Sequence, residues 1–178
     1  MTALTKAISS ELGVVYLKSK DIVRHFLLNP FDIQAKTLRQ ALRKGEKVDD
    51  EIMINLIHKR IQFPDVIEKG YILQGYPKNE EQVKKLIDKG IIPMLVFSNV
   101  QDDIHIKNRA QKCRETGKSS FKLDKEILNL RVVKANIRIP LIERFFLQHY
   151  QNLRYVNSKY SIESNVINVR NDLSNVLR

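Results

Sequence analysis

The sequence predicts an α/β fold in which a parallel sheet is flanked by helices, and three observations predict it. Short apolar runs alternate with segments whose apolar residues recur every three or four positions, the pattern of strands joined by crossover helices. One run, Met94 to Val100 (MLVFSNV), is almost unbroken, as a strand covered on both faces requires. No repeat, low-complexity tract or Gly/Ser linker divides the 178 residues, so the chain reads as one domain long enough to bury a real core.

The elements follow in order. Ala3, Leu4, Ala7, Ile8 and Leu12 keep helical spacing, and Gly13 can close that helix. Val14 to Leu17 reads as a strand and Ser19 to Leu27 as a helix. Asn29-Pro30 offers an N-cap followed by proline at the first helical position. Leu38, Ala41 and Leu42 continue that helix, and Gly45 stops it. Asp49 caps the next helix, acidic residues fill its positive end, and Ile52, Leu56, Ile57 and Ile61 follow. Tyr71 to Leu73 is a second strand. Asn79, with Gln82 three residues on, makes a capping-box-like start for a helix that buries Val83, Leu86 and Ile87 and ends at Gly90.

Beyond the MLVFSNV strand, residues 102–115 read as helical. A polar turn then leads into a long helix from Asp124 to Tyr150 with Pro140 inside it, where a kink is expected. Arg154 to Val156 is a last strand, and a closing helix carries Ile162, Val166, Val169, Leu173 and Val176.

Composition narrows the function classes. Hydrophobic residues make up 43% and charged residues 29%, which suits a globular chain rather than a disordered one. No apolar run approaches the roughly 20 residues of a membrane-spanning helix, and the N-terminus lacks the apolar core of a signal peptide. The single cysteine, Cys113, cannot form an internal disulfide. A cytoplasmic protein is expected. The net charge of +11 suits an anionic partner, but the basic residues are dispersed, which argues against a nucleic-acid module. His25, His58, His105 and His149 share no metal-ligand spacing. Phe145, Phe146 and Tyr150 read as core, and Asp49, Asp50 and Glu51 as an acidic helix cap.

The stretch GYILQGYPKNEEQ (Gly70 to Gln82) carries the most information. A strand stops on Gly75-Tyr76-Pro77 and a helix opens at once. In an open parallel sheet, ligands sit beyond the carboxyl ends of the strands. Glycine there lets a ligand approach the backbone, proline stiffens the corner, and Lys78 stands beside helix N–H groups that attract anions. The corner suits a phosphate or a purine edge.

These residues resemble the adenylate kinase family of nucleoside monophosphate kinases. The family's D-G-[FY]-P-R followed by Gln is similar to Gln74-Gly75-Tyr76-Pro77-Lys78 with Gln82. ELGVVYLKSKDIVR resembles the family segment that leads into S-T-G-D-L-L-R, and GEKVDDEIMINLIHKRI resembles the segment around V-x-D-E. NRAQKCRETG resembles the start of the lid, and KEILNLR resembles the helix that returns a later arginine.

The resemblance implies a P-loop-kinase-like fold with monophosphate-binding helices over 29–65 and a short lid over 112–124. It also implies roles. Arg24 matches the arginine that holds the monophosphate, Arg109 the first lid arginine, and Arg131 the one on the returning helix. Gly75 and Gln82 match contacts to the adenine of AMP, and Lys78 replaces an arginine, keeping charge without the planar fork. Gln74 replaces the aspartate of the Mg²⁺ shell, and a neutral amide organises that shell less well. The glycine loop G-x-x-x-x-G-K-[ST] and the strand before it are missing from this sequence. In the family that strand is central, so its neighbours are expected to face a gap. Either the chain is a piece of a longer one, or a partner or altered pairing fills the gap.

Two functions follow as expectations. One is a kinase unit exchanging a phosphoryl group between ATP and AMP with Mg²⁺, weak or inactive in this chain because the loop is absent. The other is a non-catalytic scaffold or AMP-sensing module, bound to the rest of a longer chain or a protein partner, in a larger assembly such as a ciliary one.

Overall fold

A computed structural model describes residues 2–100, 125–157 and 159–177. The chain divides into two compact units, Thr2–Pro93 and Met94–Arg178.

In the first unit, helix α1 (Thr2–Leu12) leads into strand β1 (Val15–Lys18), helices α2 (Ser19–Leu27), α3 (Ile33–Arg43), α4 (Asp50–Ile61) and α5 (Pro64–Lys69), strand β2 (Tyr71–Gln74) and helix α6 (Glu80–Asp88). β1 and β2 pair in parallel, with Val15 opposite Tyr71 and Lys18 opposite Gln74. Leu17, Ile22, Ile54, Ile57, Val66, Tyr76, Leu86 and Ile91 form the core, so strands and helices bury one shared apolar surface. α2 packs on α3 and α4.

Local chemistry explains the helix starts. Asp49 Oδ1 accepts from Glu51 N at 2.8 Å, and Asn79 Oδ1 accepts from Gln82 N at 2.8 Å, both as the sequence indicates. The start expected at Asn29-Pro30 moves to Ile33. There Asp32 Oδ1 accepts from Gln34 N and Ala35 N, while Asn29 Oδ1 turns onto Phe31 N. The aspartate satisfies two orphan donors and so outcompetes the asparagine, which forms only a local turn.

In the second unit, β3 (Val96–Val100) and β4 (Leu153–Asn157) pair in parallel, flanked by α7 (Lys125–His149) and α8 (Ile162–Val176). α7 runs through Pro140. Phe146 is buried, with Phe145 and Tyr150 half-buried beside it and ring centroids 5.8 and 6.1 Å from Phe146. β3 is half-buried rather than fully covered, and Met94 is exposed ahead of it. Among the described residues β3 packs on β4 and α7, which does not enclose both faces.

Asn165 joins α8 to β4. Its carboxamide accepts from Asn157 N and donates to the carbonyls of Asn157 and Ser161, both at 2.9 Å. Among the described residues the strands thus form two separate parallel pairs rather than one sheet. The alternating α/β character and the parallel pairing agree with the sequence. The predicted helix 102–115, the predicted lid 112–124, Cys113 and His105 lie outside the described residues.

Candidate functional site

The register of β1 on β2 builds the corner. With Lys18 opposite Gln74, the next residues, Ser19 and Gly75, emerge side by side at the carboxyl ends of both strands. Gly75 has φ 90°, and a Cβ there would stand 2.7 Å from Ser19 Oγ. Glycine is therefore required twice, by the backbone and by a buried serine. The Tyr76–Pro77 peptide bond is cis. It directs the chain from β2 to Asn79, the N-cap of α6.

Gln82 is the centre of the site. It is buried, at 8% exposure. Its Oε1 accepts from Lys78 N at 2.6 Å, and its Nε2 donates to Asp50 Oδ1 at 2.7 Å. The capping box read from the sequence is thus altered: Asn79 binds Gln82 N, but the glutamine side chain reaches Lys78 N rather than the cap's own N–H. The Tyr76 ring is buried below, and its hydroxyl has no hydrogen-bond partner among the described residues. Burial, with Asp50 and Asp49 nearby, holds that phenol well above the ordinary tyrosine range.

The structure places Gly75, Lys78 and Gln82 on one strand-to-helix turn. Lys78 is exposed. Arg24 lies on α2 of the same unit, with 77% of its side chain exposed and NH1 3.2 Å from Asp21. Arg131 lies on α7 of the other unit, and Arg109 is outside the described residues.

Three contacts escaped sequence reasoning. Asp50 read as part of an acidic cap, yet it also binds a side chain 32 positions away. Tyr16 gave no signal, and only the β1–β2 register reveals that Ser19 packs against Gly75. A shallow groove of about 180 Å³ between α4 and α6, lined by Glu51, Ile54, Lys85, Asp88 and Lys89, holds none of the predicted residues.

Gln74 stands where the resemblance puts the aspartate of a divalent cation's shell. Its Oε1 accepts from the Tyr16 hydroxyl, so this amide oxygen is engaged within the protein. Among the described residues no three His, Cys, Asp or Glu side chains gather as a metal cluster. At position 74 the chain thus offers an Mg²⁺ ion an amide rather than a carboxylate.

Fold and corner together give a helix-rich α/β protein, consistent with a P-loop-kinase-like fold, with short parallel strands that end on a candidate nucleotide corner. No family model matches the chain. It is 26% identical over 179 residues to the probable chloroplastic adenylate kinase 2 of Oryza sativa subsp. japonica, covering 93% of this chain and 59% of that protein. It is 33% identical over 120 residues to the adenylate kinase of Salinispora tropica, covering 62% of this chain and 54% of that protein. Adenylate kinase 8 of Xenopus tropicalis is 30% identical over 114 residues, 64% of this chain and 23% of its own length. By these similarities the chain resembles adenylate kinases. It spans little more than half the length of the rice and Salinispora relatives.

Proposed function

We propose that the Thr2–Pro93 unit is the nucleoside-monophosphate-binding part of an adenylate-kinase-like domain. We also propose that this chain by itself transfers phosphoryl groups between ATP and AMP weakly or not at all. The observation that carries the reading is the corner at the carboxyl ends of β1 and β2, where Gly75 and the buried, hydrogen-bonded Gln82 converge.

In this reading Gln82 and Gly75 meet the base, while Arg24 and Lys78 meet the phosphate. The Arg24–Asp21 pair is exposed and worth less than about 1 kcal/mol, so the guanidinium is free to exchange Asp21 for a phosphate. Arg109 and Arg131 are proposed to neutralise charge on a transferring phosphoryl group when the full catalytic set is assembled. The sequence contains no glycine loop to cradle a triphosphate.

A second reading, a non-catalytic scaffold or AMP-sensing module, is favoured by Gln74. That residue stands where the resemblance puts a carboxylate, and its carbonyl is bonded to Tyr16. Leu130, Val133 and Ile137, exposed at helical spacing on α7, would suit contact with a protein partner or the rest of a longer chain in a cytoplasmic or ciliary assembly.

A coupled ADP-forming assay with Mg-ATP and AMP separates the two. Turnover near that of a complete enzyme removes the scaffold reading and the expectation of weak activity. Calorimetry with AMP alone tests the pocket, and Arg24→Ala should abolish the heat.

A further inference from the structure

We infer that Asp50 is a positioning residue that orients the Gln82 carboxamide and thereby selects a 6-aminopurine over a 6-oxopurine. The inference rests on the reading above, in which Gln82 meets the base, and it concerns a residue outside that set of contacts.

The orientation follows from donor and acceptor chemistry. A backbone N–H only donates, so the atom facing Lys78 N at 2.6 Å is the carboxamide oxygen. A carboxylate only accepts, so the atom 2.7 Å from Asp50 Oδ1 is the carboxamide nitrogen. Two independent partners require the same order. A flipped amide would set oxygen against carboxylate and NH₂ against N–H, with the whole side chain buried.

Each partner uses one site on its atom, leaving one oxygen lone pair and one N–H of Gln82 for a ligand. An amide with its two atoms locked presents acceptor and donor in a fixed order. Adenine offers an amino donor at position 6 beside the N1 acceptor. Hypoxanthine offers a carbonyl acceptor at position 6 beside an N1–H donor, the reverse order. A base held in one place against Gly75 can satisfy the locked amide in one of these forms and not in the other. Without Asp50 only the Lys78 N–H opposes a turned amide, so turning to meet the other base costs one mismatched contact instead of two.

AMP and IMP share phosphate, ribose and ring, so the ratio of their dissociation constants isolates this edge. Calorimetry on the full chain should give tighter binding of AMP than of IMP. In Asp50→Asn, whose side chain can offer oxygen or NH₂ to Gln82, the ratio should fall about tenfold. Asp50→Ser, with a hydroxyl that donates or accepts, should fall in the same direction and guards against one variant misfolding. Thermal unfolding is read beside each titration, and a merely structural role would shift stability without changing the ratio. An unchanged ratio in both folded variants overturns the inference while the AMP heat leaves the pocket reading standing, as does equal binding of AMP and IMP by the parent chain. Absence of heat with either nucleotide overturns the pocket reading and this inference with it.

Discussion

Replacing Gly75 by alanine tests how the corner is built. The residue sits at φ 90°, where an ordinary side chain is strained by about 1–3 kcal/mol. The added methyl would also lie 2.7 Å from Ser19 Oγ, well inside contact distance, and Ser19 is only 4% exposed. Overpacking of a closed site costs a further 1–3 kcal/mol or so. Gly75→Ala should therefore lower stability by about 4 kcal/mol, the sum of the middles of those two ranges. In a Ser19→Ala background the nearest hydroxyl is gone and Ser19 Cβ, at 3.8 Å, is an ordinary neighbour. The same glycine change should then cost only about 2 kcal/mol, the middle of the backbone range. The protein has no tryptophan, so urea unfolding followed by far-UV circular dichroism is the suitable assay for all four members of the cycle. Equal costs in the two backgrounds would refute the claim that Ser19 makes glycine obligatory at this turn.

Other changes have definite expected results. Tyr76→Phe removes a buried hydroxyl without a described partner and should be neutral or stabilising by up to about 1 kcal/mol in the same urea assay; a loss of stability would reveal a bond that the structure does not contain. The Tyr76 phenol has a raised folded-state pKa, so its unfolded form loses the proton first. Stability is therefore complete below pH 10.0, the unfolded value, and falls as pH rises from there towards the higher folded value. Tyrosinate absorbance should show a late-titrating group that Tyr76→Phe abolishes. Asn79→Ala removes the cap of α6 and should cost about 1 kcal/mol by denaturant unfolding. Asn165→Ala leaves Asn157 N and two carbonyls without their carboxamide and should cost about 1–3 kcal/mol, read as loss of α8–β4 protection in hydrogen exchange.

What the sequence disclosed was local. Asp49 and Asn79 were readable as caps because a capping side chain binds N–H groups two or three residues away. The Asn29-Pro30 start was displaced because Asp32, closer to the apolar stripe, binds two orphan donors at once. Helix α5 went unread: at six residues, Pro64–Lys69 is too short for a period to emerge, although Pro64 at its first turn was a usable sign.

The corner itself was legible as Gly75 to Gln82, since a glycine–proline break between strand and helix is a chain-local event. Its partners were not legible. Ser19 reaches Gly75 through the β1–β2 register, and Asp50 reaches Gln82 through the packing of α4 near α6. Neither contact leaves a spacing in the sequence. The near-continuous MLVFSNV run predicted a strand, but apolar content alone could not show that β3 would have β4 as its single described strand neighbour.

The most direct measurement is a calorimetric titration of the full chain with AMP, run beside Gln82→Ala. Saturable one-site heat that disappears in the folded variant is the predicted result. Heat that persists unchanged in Gln82→Ala, or none in the parent chain, would contradict a nucleotide corner at the end of β2.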